Sequence, residues 1–461
     1  MISDRILKKL SHIVGPDYLT TRESDLCEFS TDATKLSFKP DAIAFPANSR
    51  EIAQILLLAN EEYFPVVPRG KGSGKSGGAL PVEGGLVLAM DRFDRILEID
   101  PDNLIAKVEP AVITASFQKE VEKYDLYYPP DPASTEISTI GGNVAECAGG
   151  LKAVKYGVTR DYVLGLTVVL PTGEIIKTGV ETPKGVVGYD LTRLIVGSEG
   201  TLAVITQITL RLIPRPATST TLLAFFPDAT AAVRAVSRII RSGVVPTAME
   251  FMDRLCMDCV REDMPTEIPS DCNALLLLEI DGEESSVTSM ADKVKDICAG
   301  SEAIHVRAAS NKEEAESLWE ARRNVSPSVY KLRPHKVSED IVVPRTRMAE
   351  LVSFLKRLAN KYGLPMPAYG HAGDGNVHVN IMFDKGIPQE ARSVDEAIKE
   401  LFRKVIDMNG TISGEHGIGI TKAPYIEMEI SRPALQLMVR LKKAFDPKGI
   451  LNPGKIFPYK S

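Results

Sequence analysis

Five glycines crowd into nine residues, Gly70, Gly72, Gly74, Gly77 and Gly78, within the stretch VPRGKGSGKSGGALP. No other feature restricts the fold of this chain so strongly. A segment so short of Cβ atoms gives up regular structure and gains close backbone approach to whatever lies against it. Two familiar fingerprints fail here. Gly72-x-Gly74-x-x-Gly77 has dinucleotide spacing, but that turn must open a helix. The following ALPVEGGLVLAM holds a proline and reads as turn, then strand. Gly74-Lys75-Ser76 resembles the end of a phosphate loop, yet the glycine required five positions earlier is Arg69. What remains is a loop between two β-runs, able to aim backbone N–H groups at an anion such as a pyrophosphate. The alternative is a plain flexible loop.

A second cluster repeats the pattern. In YYPPDPASTEISTIGGNVAECAGG a stiff proline stretch leads into hydroxyl residues, then Gly141-Gly142-Asn143, then Gly149-Gly150. A third loop, VGSEGTLAVIT, carries Glu199 and Gly200 ahead of a β-run. Several such loops suit a long cofactor with a diphosphate and a polar ring.

The rest of the chain sets the frame. Its 461 residues are enough for two or three domains. With 44% hydrophobic and 25% charged residues it reads as a globular protein. A net charge of −6 argues against nucleic acid as a partner. No apolar run reaches the length of a membrane span, and the start, MISDRILKKLSHIVG, reads as an amphipathic helix, so the expected location is cytoplasmic. Six cysteines are too few for a disulfide framework; Cys256 and Cys259 read as two ordinary thiols on a helix.

Residues 41–215 alternate strands and helices, including a helix opened by Ser49 and a hairpin around Thr172-Gly173. The stretch IPRPATSTT, 213–221, reads as a linker. Residues 216–410 then suggest an antiparallel sheet covered by helices. Residues 411–461 make a poor domain alone and are expected to pack back on the first. The fold class is α+β.

The stretch GHAGDGNVHVN holds two of the six histidines. As a strand, NVHVNIM puts His378, Asn380 and Met382 on one face and Val377, Val379 and Ile381 on the other. His371 precedes a Gly-Asp-Gly turn that can return it to the start of that strand. Further on, SGEHGIG sets Glu415 and His416 between glycines. Two imidazoles and a carboxylate are a common divalent-metal set; hydrogen-bonded core histidines are the alternative. The segment SNKEEAESLWEARRNVSPSVYK reads as a helix with a Ser310–Glu313 capping box, with Trp319, Arg322, Ser326 and Tyr330 on one face and Pro327 bending or ending it. His12, His305 and His335 read as surface or packing residues.

These stretches, with GYDLTRLIVGSEGTLAVIT and FDPKGILNPGK, resemble the FAD-linked oxidases of the vanillyl-alcohol oxidase / p-cresol methylhydroxylase fold. They are most similar to the branch of the glycolate oxidase flavoprotein subunit and D-lactate dehydrogenase. The resemblance runs in order through nearly the whole chain. It implies a two-part FAD-binding domain over 1–215, a substrate or cap domain over 216–410, and a C-terminal segment, 411–461, returning to the FAD domain. It implies FAD contacts from Pro68, Arg69, Gly70, Gly72, Ser73, Gly74, Gly77 and Gly78 in the first loop. From the second it implies Pro130, Ser134, Thr139, Gly141, Gly142, Asn143, Gly149 and Gly150, and from the third Glu199, Gly200 and Ile205. The first loop lacks the histidine that attaches FAD covalently in some members, so FAD is expected to be noncovalent.

In this family the positions of His371, His378 and Glu415 ligate a divalent metal (zinc, manganese or iron), His416 is the base, Asn380 lies in the substrate site and Arg322 grips the substrate carboxylate. Lys336 offers a second cation without a matching role. The implied reaction is oxidation of a small D-2-hydroxy acid to the 2-oxo acid with hydride transfer to flavin N5. No residues here suit an iron–sulfur cluster or haem, so the acceptor is expected to be a partner: an iron–sulfur subunit, an electron-transfer flavoprotein or a quinone-linked protein. Peripheral membrane attachment through that partner and a homodimer are both compatible. Three other readings stay open at this point: a non-redox flavoenzyme of the alkyl-dihydroxyacetone-phosphate synthase type, a non-catalytic flavin electron-transfer subunit, and a metal-dependent hydrolase built on the His/Glu cluster alone.

Overall fold

A computed structural model describes residues 2–458. The chain divides into two compact units. Unit 1 comprises residues 1–149, 158–215 and 415–461; unit 2 comprises 150–157 and 216–414.

Unit 1 contains two principal sheets. The first has four strands in the order Leu19–Thr20, Ala42–Ala44, Leu86–Ala89, Val66–Arg69, the last three mutually parallel. The second is antiparallel, in the order Ile96–Asp100, Ile105–Val108, Val204–Arg211, Val163–Val169, Ile175–Gly179. Two of the parallel strands, Ala42–Ala44 and Leu86–Ala89, are short apolar runs buried throughout, as strands covered on both faces must be. The helix Ser49–Glu62 packs Ile52, Ile55, Leu56 and Ala59 into the core beside Leu86 and Leu88, and Leu451 of the tail joins the same cluster.

That helix is not capped by Ser49. Asn48 caps it, its side chain accepting from the N–H groups of Arg50 and Glu51, while the Ser49 hydroxyl lies 3.0 Å from that of Thr206. The stretch 213–221 is likewise more ordered than a linker. Ile213–Pro214 pairs with Leu126–Tyr127, and the hydroxyl residues open the strand Thr218–Phe226, where β-branched threonines fit a pleated ladder.

Unit 2 is built on one antiparallel sheet of seven strands. Their order is His305–Ala308, Thr218–Phe226, Ala274–Gly282, Ala248–Asp253, Ala368–His371, Asn376–Phe383, His335–Val342. Helices including Ala229–Arg241, Glu284–Ala299, Met348–Tyr362 and Pro388–Asp407 carry apolar faces buried within the unit. Cys256 and Cys259 sit buried on the helix Arg254–Cys259, where burial pushes both thiols up, so they remain neutral packing groups.

The register of the central strands places the chemistry. Glu250 lies opposite His371, Tyr369 opposite His378, and His378 opposite Asp340. Directly opposed residues project from the same face, as do residues two apart on one strand. Glu250, Tyr369, His371, His378, Asn380 and Asp340 therefore share one face across four neighbouring strands.

Asn48→Ala is expected to lower the stability of unit 1 by about 1 kcal/mol, the usual worth of an N-cap, and Ser49→Ala to cost less. Denaturant unfolding of the two variants checks the order.

Candidate active site

In unit 1 the three glycine loops and the tail converge. A Cβ on Gly70 would stand 2.7 Å from the Thr139 hydroxyl of the second loop. One on Gly78 would stand 2.8 Å from Glu146 Oε1 and 3.8 Å from Glu199 Oε2 of the third. One on Gly200 would lie 3.7 Å from Asn452 of the tail, and one on Gly149 would lie 2.9 Å from Glu415 Oε1. The first loop runs through turns and bends into the strand Leu86–Ala89 with no helix, as its proline required. Gly141 is packed so tightly that a Cβ would sit 2.3 Å from Pro110 Cβ.

Glu199 bonds the tail to the third loop, accepting from the N–H groups of Ile418 at 2.8 Å and Gly419 at 2.7 Å. Asn452 donates to the carbonyls of Gly78 and Glu199. Thr139 caps the helix Ile140–Glu146, and Asn143 is buried and donates to Thr114 Oγ1 at 2.8 Å. The Arg69 side chain is committed inward: Nη2 donates to the Thr31 carbonyl at 2.7 Å, and the guanidinium lies over Phe29.

Three buried polar atoms at this convergence have no hydrogen-bond partner among the described residues: Ser76 Oγ, Glu146 Oε2 and Asn452 Oδ1. Burial, then the neighbouring Glu199, pushes the Glu146 carboxyl well above the ordinary range, which favours its neutral form. Unsatisfied buried groups of this kind need a partner. Beside glycines whose missing Cβ atoms leave space, they fit a polar cofactor.

In unit 2 the strand Asn376–Phe383 is buried along its length, with Val377, Val379 and Ile381 at 0% exposure. The expected Gly-Asp-Gly turn returns the chain as anticipated. The His371 and His378 rings stand perpendicular with centroids 5.2 Å apart. His371 Nδ1 lies 2.6 Å from Glu250 Oε1. Since the carboxylate only accepts, the proton belongs on Nδ1, and Nε2 is the ring's acceptor nitrogen. His378 Nδ1 is 3.8 Å from Asp340 Oδ1. Asp340, fully buried, also accepts from Asn376 Nδ2 at 2.6 Å and from the Gly414 N–H at 2.9 Å. It thus fixes the backbone immediately ahead of Glu415 and His416.

Arg322 lies on the helix Lys312–Arg323 and is buried. Its Nε donates to Glu250 Oε2 at 2.7 Å, and Nη2 donates to the same oxygen. The guanidinium lies over the Tyr369 ring, 4.5 Å from its centroid. One edge of the fork is therefore occupied, and a ligand carboxylate would meet the Nη1/Nη2 edge. Burial works against the Glu250 charge, but Arg322 and then His371 outweigh it, and the carboxyl is held below its ordinary value. Asn380 is fully buried, and its Oδ1 has no hydrogen-bond partner among the described residues.

Two local details differ from the sequence reading. The helix is capped by Asn311, which accepts from the Glu314 N–H at 2.8 Å, so the cap sits one residue later than expected; the Glu314 side chain accepts from Ser310, one residue before the cap, and the reciprocal box is not formed. Tyr330 is exposed and leaves the face shared by Trp319 and Arg322, because the helix stops at Arg323 and a new short one, Val325–Ser328, begins around Pro327. Lys336 Nζ donates to the Ser326 carbonyl and contacts its hydroxyl at 3.0 Å. His12 and His305 are exposed and His335 half-buried.

The sequence reading missed Glu250, Asp340 and Glu146. The first had a signal: an isolated carboxylate inside AMEFM, an otherwise apolar strand, must be paired if buried.

A glycine-loop unit with a tail returning to it, and a seven-stranded antiparallel unit bearing a histidine–carboxylate face, correspond in turn to the two parts of an FAD-linked oxidase. Residues 40–179 match the FAD binding domain, and residues 215–456 match the FAD linked oxidases, C-terminal domain. The glycolate oxidase subunit GlcD of Bacillus subtilis is 43% identical over 458 residues, covering 99% of this chain and 97% of that one. D-lactate dehydrogenase of Anaerostipes hadrus is 34% identical over 426 residues, covering 91% and 90%. Among solved structures, p-cresol methylhydroxylase with substrate bound has a TM-score of 0.80 at 18% identity, covering 98% and 96%, which shows the fold. The chain belongs to the FAD-linked oxidases.

Gly141→Ala is expected to destabilise the protein by roughly 1–3 kcal/mol through overpacking against Pro110. Gly74→Ala, where a Cβ meets nothing within 4 Å, is expected to leave unfolding of the flavin-free protein unchanged and to weaken flavin retention. Melting curves and bound-flavin content separate the two effects.

Proposed function

We propose that the protein is an FAD-dependent dehydrogenase that oxidises a D-2-hydroxy acid, of the D-lactate or glycolate type, to the 2-oxo acid. The observation that carries this reading is the single face of unit 2 bearing two imidazoles, a buried guanidinium with one edge open, and an amide oxygen awaiting a donor. A 2-hydroxy acid offers a carboxylate for the guanidinium and a hydroxyl for the imidazoles. The relatives named glycolate oxidase subunit and D-lactate dehydrogenase support the same class of substrate.

Residues 1–215, with the returning segment 411–461, form the FAD-binding part in this reading, and 216–410 the substrate part. FAD lies noncovalently along Pro68, Arg69, Gly70, Gly72, Ser73, Gly74, Gly77 and Gly78, along Pro130, Ser134, Thr139, Gly141, Gly142, Asn143, Gly149 and Gly150, and along Glu199, Gly200 and Ile205. Arg69 and Asn143 contribute through their backbone, because their side chains are engaged elsewhere. His371, His378 and Glu415 hold a divalent metal. The His371 Nε2 lone pair and the neighbouring ring of His378 suit it, and Glu415 follows directly on Gly414, which Asp340 fixes beside His378.

When bound, FAD supplies the two-electron acceptor and the metal a Lewis acid that acidifies the substrate hydroxyl. Arg322 binds the substrate carboxylate through its free edge and orients C2. His416, the residue after Glu415, takes the hydroxyl proton. The Asn380 Oδ1 accepts from a substrate or water hydrogen, and the buried walls exclude bulk water. The electrons that FAD would take up would leave to a protein or quinone-linked acceptor, since no residues of this chain suit an iron–sulfur cluster or haem. Relatives named as subunits favour an assembly of that kind, and no helix of the described residues is long and apolar enough to cross a membrane. A cytoplasmic location, with membrane contact through the acceptor, is part of the same proposal.

A panel of D- and L-2-hydroxy acids with a dye acceptor, with and without a chelator, tests this reading. Turnover of D-lactate or glycolate that falls on chelation is expected. Turnover of none of the acids would refute it. His416→Ala is expected to lower turnover about 10²- to 10⁴-fold, the worth of general-base catalysis, with flavin still bound.

A further inference from the structure

We propose that Glu250 is a positioning residue that sets the metal-binding tautomer of His371 and the pose of Arg322 at once, so that the two are coupled through a single carboxylate. The inference rests on the divalent-metal reading given above and goes beyond it by assigning a role outside the ligand set.

The geometry is specific. Glu250 is fully buried in the middle of unit 2, with His371 at 8% and Arg322 at 7% side-chain exposure. Its two oxygens have separate partners: Oε1 meets His371 Nδ1 at 2.6 Å, and Oε2 takes both Nε and Nη2 of Arg322. A metal-ligating imidazole commonly gives its other N–H to a carboxylate in this way, which fixes the ring and its tautomer. The cross-strand pairing of Glu250 with His371 makes the contact a consequence of register. Here the same carboxylate also orients the cation that would receive the substrate.

The coupling has an unusual consequence. Replacing Glu250 by Gln keeps the shape and leaves only one oxygen for two donors. Arg322 has no acceptor atom, whereas neutral imidazole can accept as well as donate. The amide oxygen therefore turns to Arg322, and its NH2 faces His371 Nδ1. That contact demands the tautomer with its proton on Nε2, the atom required by the metal. Removing the Arg322 charge as well releases the amide to turn round, with its oxygen toward His371 again.

The test is binding of Mn²⁺ alone, measured by competition with a fluorescent chelator, on full-length flavin-loaded protein stripped of metal. Flavin content and circular dichroism are followed in parallel. Glu250→Gln is expected to bind Mn²⁺ about 10- to 100-fold more weakly than the unmodified protein, the usual cost of losing such a partner. The double variant Glu250→Gln/Arg322→Met is expected to recover most of that loss. A rescue by a second substitution is not what a merely structural role of Glu250 would give. If Glu250→Gln fails to fold, the charge-neutral pair Glu250→Gln/Arg322→Met and Glu250→Met/Arg322→Met carries the test, the second binding 10- to 100-fold more weakly than the first. Equal Mn²⁺ affinity in Glu250→Gln and the unmodified protein would overturn the inference alone, as would equal affinities in the two double variants. No Mn²⁺ binding by the unmodified protein would overturn both the inference and the metal reading beneath it.

Discussion

A carboxylate at 0% exposure in the centre of a seven-stranded sheet is the constraint around which unit 2 is arranged. An isolated charge in that position would be intolerable, and it persists only with partners on both oxygens. Arg322 and His371 are those partners. Losing one side of such a pair costs about 3–5 kcal/mol, so the helix Lys312–Arg323 is tied to its place over the sheet by the residue it must pair. The same bonds take up the Nε edge of the guanidinium and Nδ1 of the imidazole, so one carboxylate sets the orientation of both side chains.

Asp340 repeats the arrangement three strands further across the sheet. It is fully buried, sits opposite His378 in the ladder and holds Asn376 and the Gly414 amide. Each histidine of the pair therefore has its own carboxylate, and the two carboxylates differ in what else they hold: Glu250 a cation, Asp340 the backbone that leads to Glu415 and His416. Unit 1 uses a different device. Its glycine loops approach one another where side chains would collide, and the buried polar atoms left over there, Ser76 Oγ, Glu146 Oε2 and Asn452 Oδ1, have no partner among the described residues. One unit is organised by paired charges, the other by missing Cβ atoms.

Much of this was legible in the residues. The density of glycines at 70–78 and the proline after them excluded a helix, and the loop runs into a strand. The period-two pattern of NVHVNIM separated His378 and Asn380 from the valines, and the turn after His371 brought the two rings together. Asn48 and Asn311 were passed over in favour of neighbouring serines, because cap preference alone does not separate Ser from Asn and the choice falls to tertiary partners such as Thr206. Glu250 and Asp340 were missed for a deeper reason. A single acid in a strand usually marks its solvent face, and only long-range pairing, across 72 residues to Arg322 and 121 to His371, turns it into a buried group. The order of the strands in the sheet carries that information, and the local pattern does not.

The most direct test of the central claim is anaerobic mixing of the flavin-loaded protein with D-lactate or glycolate in a single turnover, followed through the visible flavin band. Rapid bleaching by a D-2-hydroxy acid, abolished by chelation and slow with the L-enantiomer of lactate, is the predicted result. A flavin that stays oxidised with every 2-hydroxy acid offered, metal present, would contradict the account.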